Sequence, residues 1–217
     1  MKLGIETSSR NCSVVLWDNQ GRLLVREKST YEFVHAEELH SMISDVMKEA
    51  DIEGKAITSV VVGRGPGSYT GLRIGVSCAK GICFSLGVPL YSISSLTLMV
   101  LAQPELMECS QVLAVMDARR MEVFGAKYHF GKPLDLPGSM IFEDAAEISK
   151  FLDLEYVVGE NASKLSSVLD KSTLFLDVLP SARTMALKTA ETYFQLENLA
   201  YFEPEYVKPF IPTVAKK

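Results

Sequence analysis

The stretch best suited to hold a ligand is a glycine-rich segment, residues 63–75, with the sequence GRGPGSYTGLRIG. It follows an apolar, β-branched run and precedes a helical pattern that continues to about Leu86. A helix that begins behind a glycine loop presents free N–H groups to an anion, and Ser68 is a natural N-cap. The segment lacks the lysine of a Walker loop and the third glycine of a dinucleotide fingerprint. It therefore predicts a phosphate-binding loop in outline only.

Small residues recur at every fourth position of this segment and of the helix behind it. They are Gly67, Gly71, Gly75, Ala79 and Cys83. Four-residue spacing places them on one helix face, and each glycine inside a helix costs up to about 1 kcal/mol relative to alanine. Two explanations stay open. The stripe packs closely on the protein's own sheet, or it receives a second helix from another chain.

A second polar cluster lies at the end of the first predicted strand, residues 2–6. A carboxylate and hydroxyls on a tight turn there can hold a metal-bound water or a phosphate, or can simply satisfy one another. Together with the glycine loop, this cluster supplies the candidate phosphate or nucleotide contacts. They are Glu6, Thr7, Ser8, Gly65, Gly67 and Ser68.

Composition narrows the class of protein. The chain has 217 residues and a net charge of -5, which argues against strong binding to nucleic acid by this chain alone. We expect no export signal and no membrane span, because the first residues are charged early and no apolar run is long enough. The four cysteines form no C-x-x-C pair, which is typical of reduced thiols in a cytoplasmic protein.

The predicted elements repeat in order. Each half reads as an antiparallel hairpin followed by alternating helices and strands, which predicts two α/β domains of related topology with a cleft between them. We expect an N-terminal domain over residues 1–104 and a C-terminal domain over residues 105–217. A helix over 181–196 is expected to pack back on the first domain.

An amphipathic helix is predicted over residues 33–50. Its apolar face combines Leu39, Met42, Ile43 and Val46 at helical spacing. His35 and His40 are five residues apart, which is the wrong spacing for a zinc pair, so both are interpreted as exposed.

Several segments, in this order and spacing, resemble the bacterial TsaB (YeaZ) family. They are residues 6–8, 65–75, 79–81, 87–89, 94–96 and 117–123. The glycine-rich segment is the most specific of these. The resemblance implies the actin-like ATPase and sugar-kinase superfold, built from two ribonuclease H-like halves.

The resemblance also implies a function in tRNA modification. In that pathway TsaC makes threonylcarbamoyl-adenylate, TsaD transfers the threonylcarbamoyl group to N6 of the adenosine beside the anticodon, and TsaE is an accessory ATPase. TsaB is the non-catalytic partner that binds TsaD directly. TsaB contacts TsaE through the assembled complex, and it contacts tRNA only through that complex.

A non-catalytic role fits a difference from TsaD. The positions that match the metal-binding histidine pair of TsaD are about Ser95 and Met99, and neither is a suitable ligand. The resemblance implies that no catalytic residue, metal or cofactor is required, with ATP or ADP and magnesium at the complex interface.

The resemblance further implies that this chain forms a helical bundle with TsaD, or with a second copy of itself. The expected interface residues are Leu39, Met42, Ile43, Val46, Gly71, Leu72, Gly75 and Ala79. Because one surface serves both partners, self-association and TsaD binding should compete.

Two other functions compete with this one. A nucleotide-dependent ATPase or small-molecule kinase of the same superfold would use the glycine loop to hold magnesium and phosphate, and turnover of ATP by the chain alone would distinguish it. A protease is the third hypothesis, prompted only by an older glycoprotease-like label. No serine, histidine and aspartate can be assigned to a hydrolase set by spacing.

Overall fold

The computed structural model describes residues 1–29, 35–143 and 145–208. Its twelve strands, in chain order, are β1 (Lys2–Glu6), β2 (Asn11–Trp17), β3 (Leu23–Ser29), β4 (Ser59–Gly63), β5 (Leu90–Ile93), β6 (Val112–Asp117), β7 (Glu122–His129), β8 (Lys132–Pro133), β9 (Gly138–Ile141), β10 (Tyr156–Gly159), β11 (Leu174–Asp177) and β12 (Gln195–Leu196).

Four α-helices lie between these strands. They are α1 (His35–Ala50), α2 (Tyr69–Leu86), α3 (Ser95–Leu101) and α4 (Ala145–Ile148). Short 3-10 helices cover Gly54–Ala56, Pro104–Glu108, Ser149–Phe151, Ala162–Ser167, Ala182–Ala186 and Lys188–Tyr193. Within the described ranges, no helix combines the length and apolar character needed to cross a membrane.

The strands form two mixed sheets with the same order. In the first, β1 lies between antiparallel β2 and parallel β4, with β3 and β5 outside them. In the second, β6 lies between antiparallel β7 and parallel β10, with β11 beyond β10 and with β8 and β9 both pairing with β7. The repeated order confirms the predicted α/β fold with two halves of related topology.

Alternation along the central strands explains how both faces of the first sheet are covered. Leu3 and Ile5 of β1 pack with α1 and α2 on one face. On the other face, Val15 and Val61 pack with α3 and the 182–190 segment. All seven residues of α3 are buried, and Leu96 of this helix packs on the second sheet. Helix α3 therefore joins the two halves through their cores.

The C-terminal region differs from the predicted helix over 181–196. It forms two 3-10 helices and then β12, which pairs with β5 of the first sheet. The reason is tertiary packing. Met185 is fully buried and lies where a side chain at Gly4 would sit, with its sulfur 2.8 Å from that Cβ position. The backbone is extended at Leu187, between the two 3-10 helices, which ends the helical run there.

The second half contains only short helices in the ranges that the structure describes. Helix α4 continues directly into the 3-10 turn Ser149–Phe151, and the 3-10 helix Ala162–Ser167 follows β10. Residues 33 and 34 of the first predicted helix lie outside the described residues. The boundary between residues 1–104 and 105–217 stays a prediction.

Candidate functional site

The glycine-rich segment leaves β4 at Gly63 and enters α2, as the sequence predicts. Ser68 is the N-cap, and its hydroxyl oxygen accepts the Gly71 N–H at 3.2 Å. The Leu72 N–H donates to the Ser68 carbonyl at 2.8 Å. The Ser68 N–H in turn donates to the carbonyl of Ser8 at 2.6 Å. The loop and the end of β1 are therefore bonded directly to each other.

A cleft of about 540 Å³ opens between the two halves beside this loop. One wall comes from the β1–β2 turn and the start of α2, and the other from the ends of β6 and β10. The lining residues are Ser8, Ser9, Gly67, Ser68, Tyr69, Thr70, Asp117, Ala118, Arg119, Phe124 and Glu160.

Three predicted phosphate contacts, Ser8, Gly67 and Ser68, line this cleft. Glu6 and Thr7 are not part of this lining, and they lie beneath the loop, at most 1 % exposed. The Thr7 hydroxyl donates to the carbonyl of Gly71 at 2.8 Å. These two residues therefore support the loop from inside, and their role as phosphate contacts stays a prediction.

Glu6 binds two partners in the interior. Its carboxylate accepts the Ser8 N–H at 2.6 Å and the hydroxyl of Ser95 at 2.9 Å. Burial raises the pKa of Glu6, and the hydrogen bonds from Ser8 and Ser95 offset part of that rise. A side chain at Gly63 would collide with the Glu6 carboxylate. Glu6 therefore joins β1 and β4 to the start of α3.

The third predicted contact in the loop, Gly65, is not part of the cleft lining. A Cβ atom built on it would lie 3.2 Å from the carbonyl oxygen of Glu205, in the C-terminal segment. The Gly65–Pro66 peptide bond is cis. Gly65 therefore packs against the protein itself.

Acidic side chains line the opposite wall of the cleft. Asp117 accepts hydrogen bonds from the Lys164 ammonium and from the Asn161 amide, the latter at 2.8 Å. Burial alone would raise the pKa of Asp117, but these hydrogen bonds outweigh it and hold the pKa below its ordinary value. Burial, reinforced by the nearby Asp117 carboxylate, raises the pKa of Glu160.

Part of the hydrogen-bonding capacity of the loop is used within the chain. The N–H groups of Ser68, Gly71 and Leu72 already donate to other groups of the protein. The Ser8 carbonyl lies within 3.0 Å of the Cβ position of Gly67, so the loop leaves no space against β1. Across the cleft stand the carboxyl groups of Asp117 and Glu160 together with the side chain of Arg119.

The three histidines lie away from the lining of this cleft. His35 is buried, contrary to its predicted exposure, and its Nε2–H donates to the Ser9 carbonyl at 2.7 Å, while burial lowers its pKa. His129 binds the Ser110 carbonyl at 2.7 Å. In the described residues, no group of three or more His, Cys, Asp or Glu side chains is arranged to hold a metal ion.

The predicted interface residues occupy the chain's own core. Every one of Leu39, Met42, Ile43, Val46, Gly71, Leu72, Gly75 and Ala79 is buried. The glycines of the stripe meet β1, because a Cβ at Gly71 or Gly75 would lie within 3.0 Å of Thr7. The first explanation of the stripe, close packing on the protein's own sheet, therefore holds. These eight side chains are unavailable to a second chain in this structure.

The outward faces of the same two helices form a groove of about 490 Å³, called here the helix groove. It is lined by Ala36, His40, Ile74, Ser77, Cys78, Gly81, Ile82 and Ser85. The helices approach across it, with the Cys78 sulfur 3.9 Å from Nδ1 of His40. The predicted interface residues do not include the lining of this groove, although a pattern in the sequence marks it. Ser77, Gly81 and Ser85 repeat the four-residue spacing on the helix face opposite the buried stripe.

Comparison with known proteins identifies relatives. The family model described as "TsaD: tRNA N6-adenosine threonylcarbamoyltransferase" matches residues 32–207. A protein of Escherichia coli named "tRNA threonylcarbamoyladenosine biosynthesis protein TsaB" is 34% identical over 131 residues, 58% of this chain and 54% of that protein. The protein of the same name from Haemophilus influenzae is 33% identical over 122 residues, 56% of this chain and 51% of that protein. The chain thus spans about half the length of the curated relatives it matches.

A solved structure shares the fold over nearly the whole chain. The structure titled "YeaZ from Pseudomonas aeruginosa" superposes with a TM-score of 0.78 at 24% identity, covering 94% of this chain and 98% of that one. At this level of identity the match shows that the two proteins share a fold, including the arrangement of its two halves.

Proposed function

The chain belongs to the TsaD family and, within it, to the TsaB (YeaZ) group, and from that premise we propose that it is the non-catalytic partner of TsaD. In this role it supports the transfer of threonylcarbamoyl to N6 of the adenosine beside the tRNA anticodon. The relatives' names support the pathway. The helix groove is the observation that carries the partner role.

The helix groove has the properties of a helix-docking surface. Ser77, Gly81 and Ser85 form a ridge of small residues, beside which Ile74 and Ile82 are partly buried. Small side chains let another helix approach closely, and the neighbouring isoleucines supply apolar contact. The lining contains no lysine, arginine, aspartate or glutamate, so docking there removes no such charge from water. TsaD and a second copy of this chain would compete for this one groove.

The cleft supports a non-catalytic role. Its ionised carboxylate, Asp117, is held by Lys164 and Asn161, and the loop N–H groups are used within the chain. The positions that match the TsaD histidines are buried: Ser95 donates to Glu6, and Met99 packs in the core. In this proposal the reacting groups belong to TsaD.

The remaining partners enter through the complex. We place TsaE and the tRNA on the assembled pair rather than on this chain alone, and TsaC upstream as the source of the activated threonylcarbamoyl group. The chain needs no cofactor of its own. In this proposal ATP or ADP with magnesium binds at the interface of the complex.

Sedimentation velocity with purified TsaD tests the groove. The native chain should form a one-to-one complex with TsaD. Gly81→Phe fills the groove with a ring, and the fold tolerates it because a Cβ there meets nothing within 4 Å. The clash should weaken binding about tenfold or more, a cost of at least ~1.4 kcal/mol.

Gly138→Phe is the matched control. Gly138 lies on β9 of the second half, and its Cβ position is also open. This variant should bind TsaD like the native chain. Absence of any complex with the native chain would overturn the partner role, and tight binding by Gly81→Phe would overturn the groove as its site.

A further inference from the structure

The last described residues cross from one half of the molecule to the other. After β12, the Glu197 N–H donates to the Leu90 carbonyl at 2.9 Å. The Lys80 ammonium of α2 then binds the carbonyls of Ala200 and Phe202, at 3.3 and 2.9 Å, and Phe202 is buried in the core of the first half. The chain is thus anchored along α2 as far as Phe202.

Beyond this anchor the chain lies on the glycine loop. The Glu205 N–H donates to the Arg64 carbonyl at 2.8 Å, and the Arg64 guanidinium pairs with the Glu205 carboxylate at 3.3 Å. The Glu205 carbonyl stands over Gly65, where a side chain would crowd it. This face of the loop is the one opposite the cleft.

An aromatic cluster follows at the first turn of α2. The rings of Tyr206 and Tyr69 lie 4.9 Å apart, centre to centre. The Arg73 guanidinium lies 4.1 Å from the Tyr69 ring, and its Nε–H donates to the Tyr206 hydroxyl at 3.1 Å. Tyr69 also lines the cleft, so this cluster contacts one of the cleft walls.

The segment then reaches the second half. The Lys208 ammonium pairs with the carboxylate of Glu122, at the start of β7. The carbonyl of Glu122 accepts a hydrogen bond from Lys164 at 2.7 Å, and Lys164 also holds Asp117 on the far wall of the cleft. Within six residues the chain thus contacts groups that support both walls.

We propose that residues 203–208, called here the strap, hold the two halves together across the cleft. When the strap is in place, the start of α2 and the start of β7 are fixed relative to each other. Release of the strap frees the first turn of α2 and widens the cleft. Beyond Glu205, its contacts are an ion pair with Lys208 half exposed and a partly exposed aromatic stack, interactions that are individually weak. The end of the strap, from Tyr206 to Lys208, is therefore releasable without unfolding either half, while Glu205 stays bonded to Arg64.

This inference is independent of the proposed function, since it concerns how the chain's own halves are joined. Hydrogen–deuterium exchange of the native chain and of Tyr206→Ala tests it. Loss of the stack should speed exchange about two- to tenfold in two peptides, residues 65–73 and residues 117–124. Peptides from β1 and β10 should exchange as in the native chain. Lys208→Met should speed exchange in the same two peptides by a smaller factor.

Tyr201→Ala is the matched control. Tyr201 belongs to the same terminal segment but is 84 % exposed. It should leave exchange in both peptides unchanged. Tyr206→Phe keeps the ring and loses only the hydroxyl, so it should lie between the native chain and Tyr206→Ala.

Two results would overturn the strap. Faster exchange in residues 65–73 alone would show that the segment only covers the start of α2. Unchanged exchange in both peptides of Tyr206→Ala would show that the segment holds neither wall.

Discussion

Alanine substitutions at three glycines of α2 should change the free energy of unfolding in different directions, one raising it and two lowering it. Gly71, Gly75 and Gly81 all lie inside α2, so intrinsic helix propensity favours alanine over glycine equally at each. Their surroundings differ. A Cβ at Gly71 or Gly75 would come within 3.0 Å of Thr7, while a Cβ at Gly81 meets nothing within 4 Å.

The magnitudes follow from these contacts. Gly81→Ala should stabilise the protein by about 1 kcal/mol, which is the propensity gain alone. At Gly71 the obstacle is the Thr7 backbone carbonyl, which cannot rotate away, so overpacking of about 3 kcal/mol outweighs the gain and leaves a net loss of about 2 kcal/mol. At Gly75 the obstacle is the Thr7 hydroxyl, and turning it away breaks its hydrogen bond to the Gly71 carbonyl. A net loss of about 1 kcal/mol is expected there.

Urea unfolding followed by tryptophan fluorescence is the assay. Trp17 is the chain's one tryptophan and lies buried in β2, so its signal reports on the half that contains α2. The midpoints should rank Gly81→Ala, native, Gly75→Ala and Gly71→Ala from high to low, with similar slopes. A Gly71→Ala variant as stable as Gly81→Ala would refute the packing of the stripe on Thr7.

Three further predictions follow from the buried titratable groups. Because the pKa of Glu6 is raised in the folded state, protonated Glu6 stabilises the fold below the unfolded pKa of about 4.5, and this contribution is lost as the pH rises through the folded pKa. The free energy of unfolding of the native chain should therefore fall relative to that of Glu6→Gln between pH 5 and 8. A constant difference between the two proteins would contradict this. Burial raises the pKa of Cys12 to about 12 and of Cys83 to about 11. At pH 8, alkylation by iodoacetamide should therefore be about 100-fold slower at Cys83 and about 1,000-fold slower at Cys12 in the folded than in the unfolded chain, and equal rates by mass spectrometry would count against burial. Because the pKa of Asp117 is lowered in the folded state, ionised Asp117 stabilises the fold at neutral pH, and this contribution is lost on acidification. Lys164→Met should therefore flatten the fall in the free energy of unfolding between pH 5 and 3. An unchanged dependence on pH would show that Asp117 and Lys164 do not pair.

Local patterns were sufficient for much of the fold. Apolar runs bounded by turn residues predicted the sheet strands other than β8, β9 and β12, and glycines behind a strand predicted the loop and α2. The helix over 181–196 failed because Met185 packs on Gly4, a contact across most of the chain that no local pattern encodes. The edge strands β8 and β9 are two and four residues long and give little periodic signal.

The candidate site was predicted less completely, for a physical reason. Small residues at four-residue spacing indicate that another group packs closely against one helix face. Both a carbonyl of the same chain and a helix of a partner would require small side chains there, so the spacing does not distinguish them. The position of Thr7 in the folded structure shows that Gly71 and Gly75 face the protein's own first strand. His35 is similar, because its burial depends on the Ser9 carbonyl at the end of a separate strand.

The most direct test of the proposed function is a reconstituted transfer reaction. Purified TsaC, TsaD and TsaE are incubated with ATP, bicarbonate, radiolabelled threonine and unmodified tRNA, and label in the tRNA is counted. Label should appear only when this chain is added, should fall with Gly81→Phe and should persist with Gly138→Phe. Full labelling without the chain, or labelling by the chain when TsaD is left out, would contradict its role as the non-catalytic partner of TsaD.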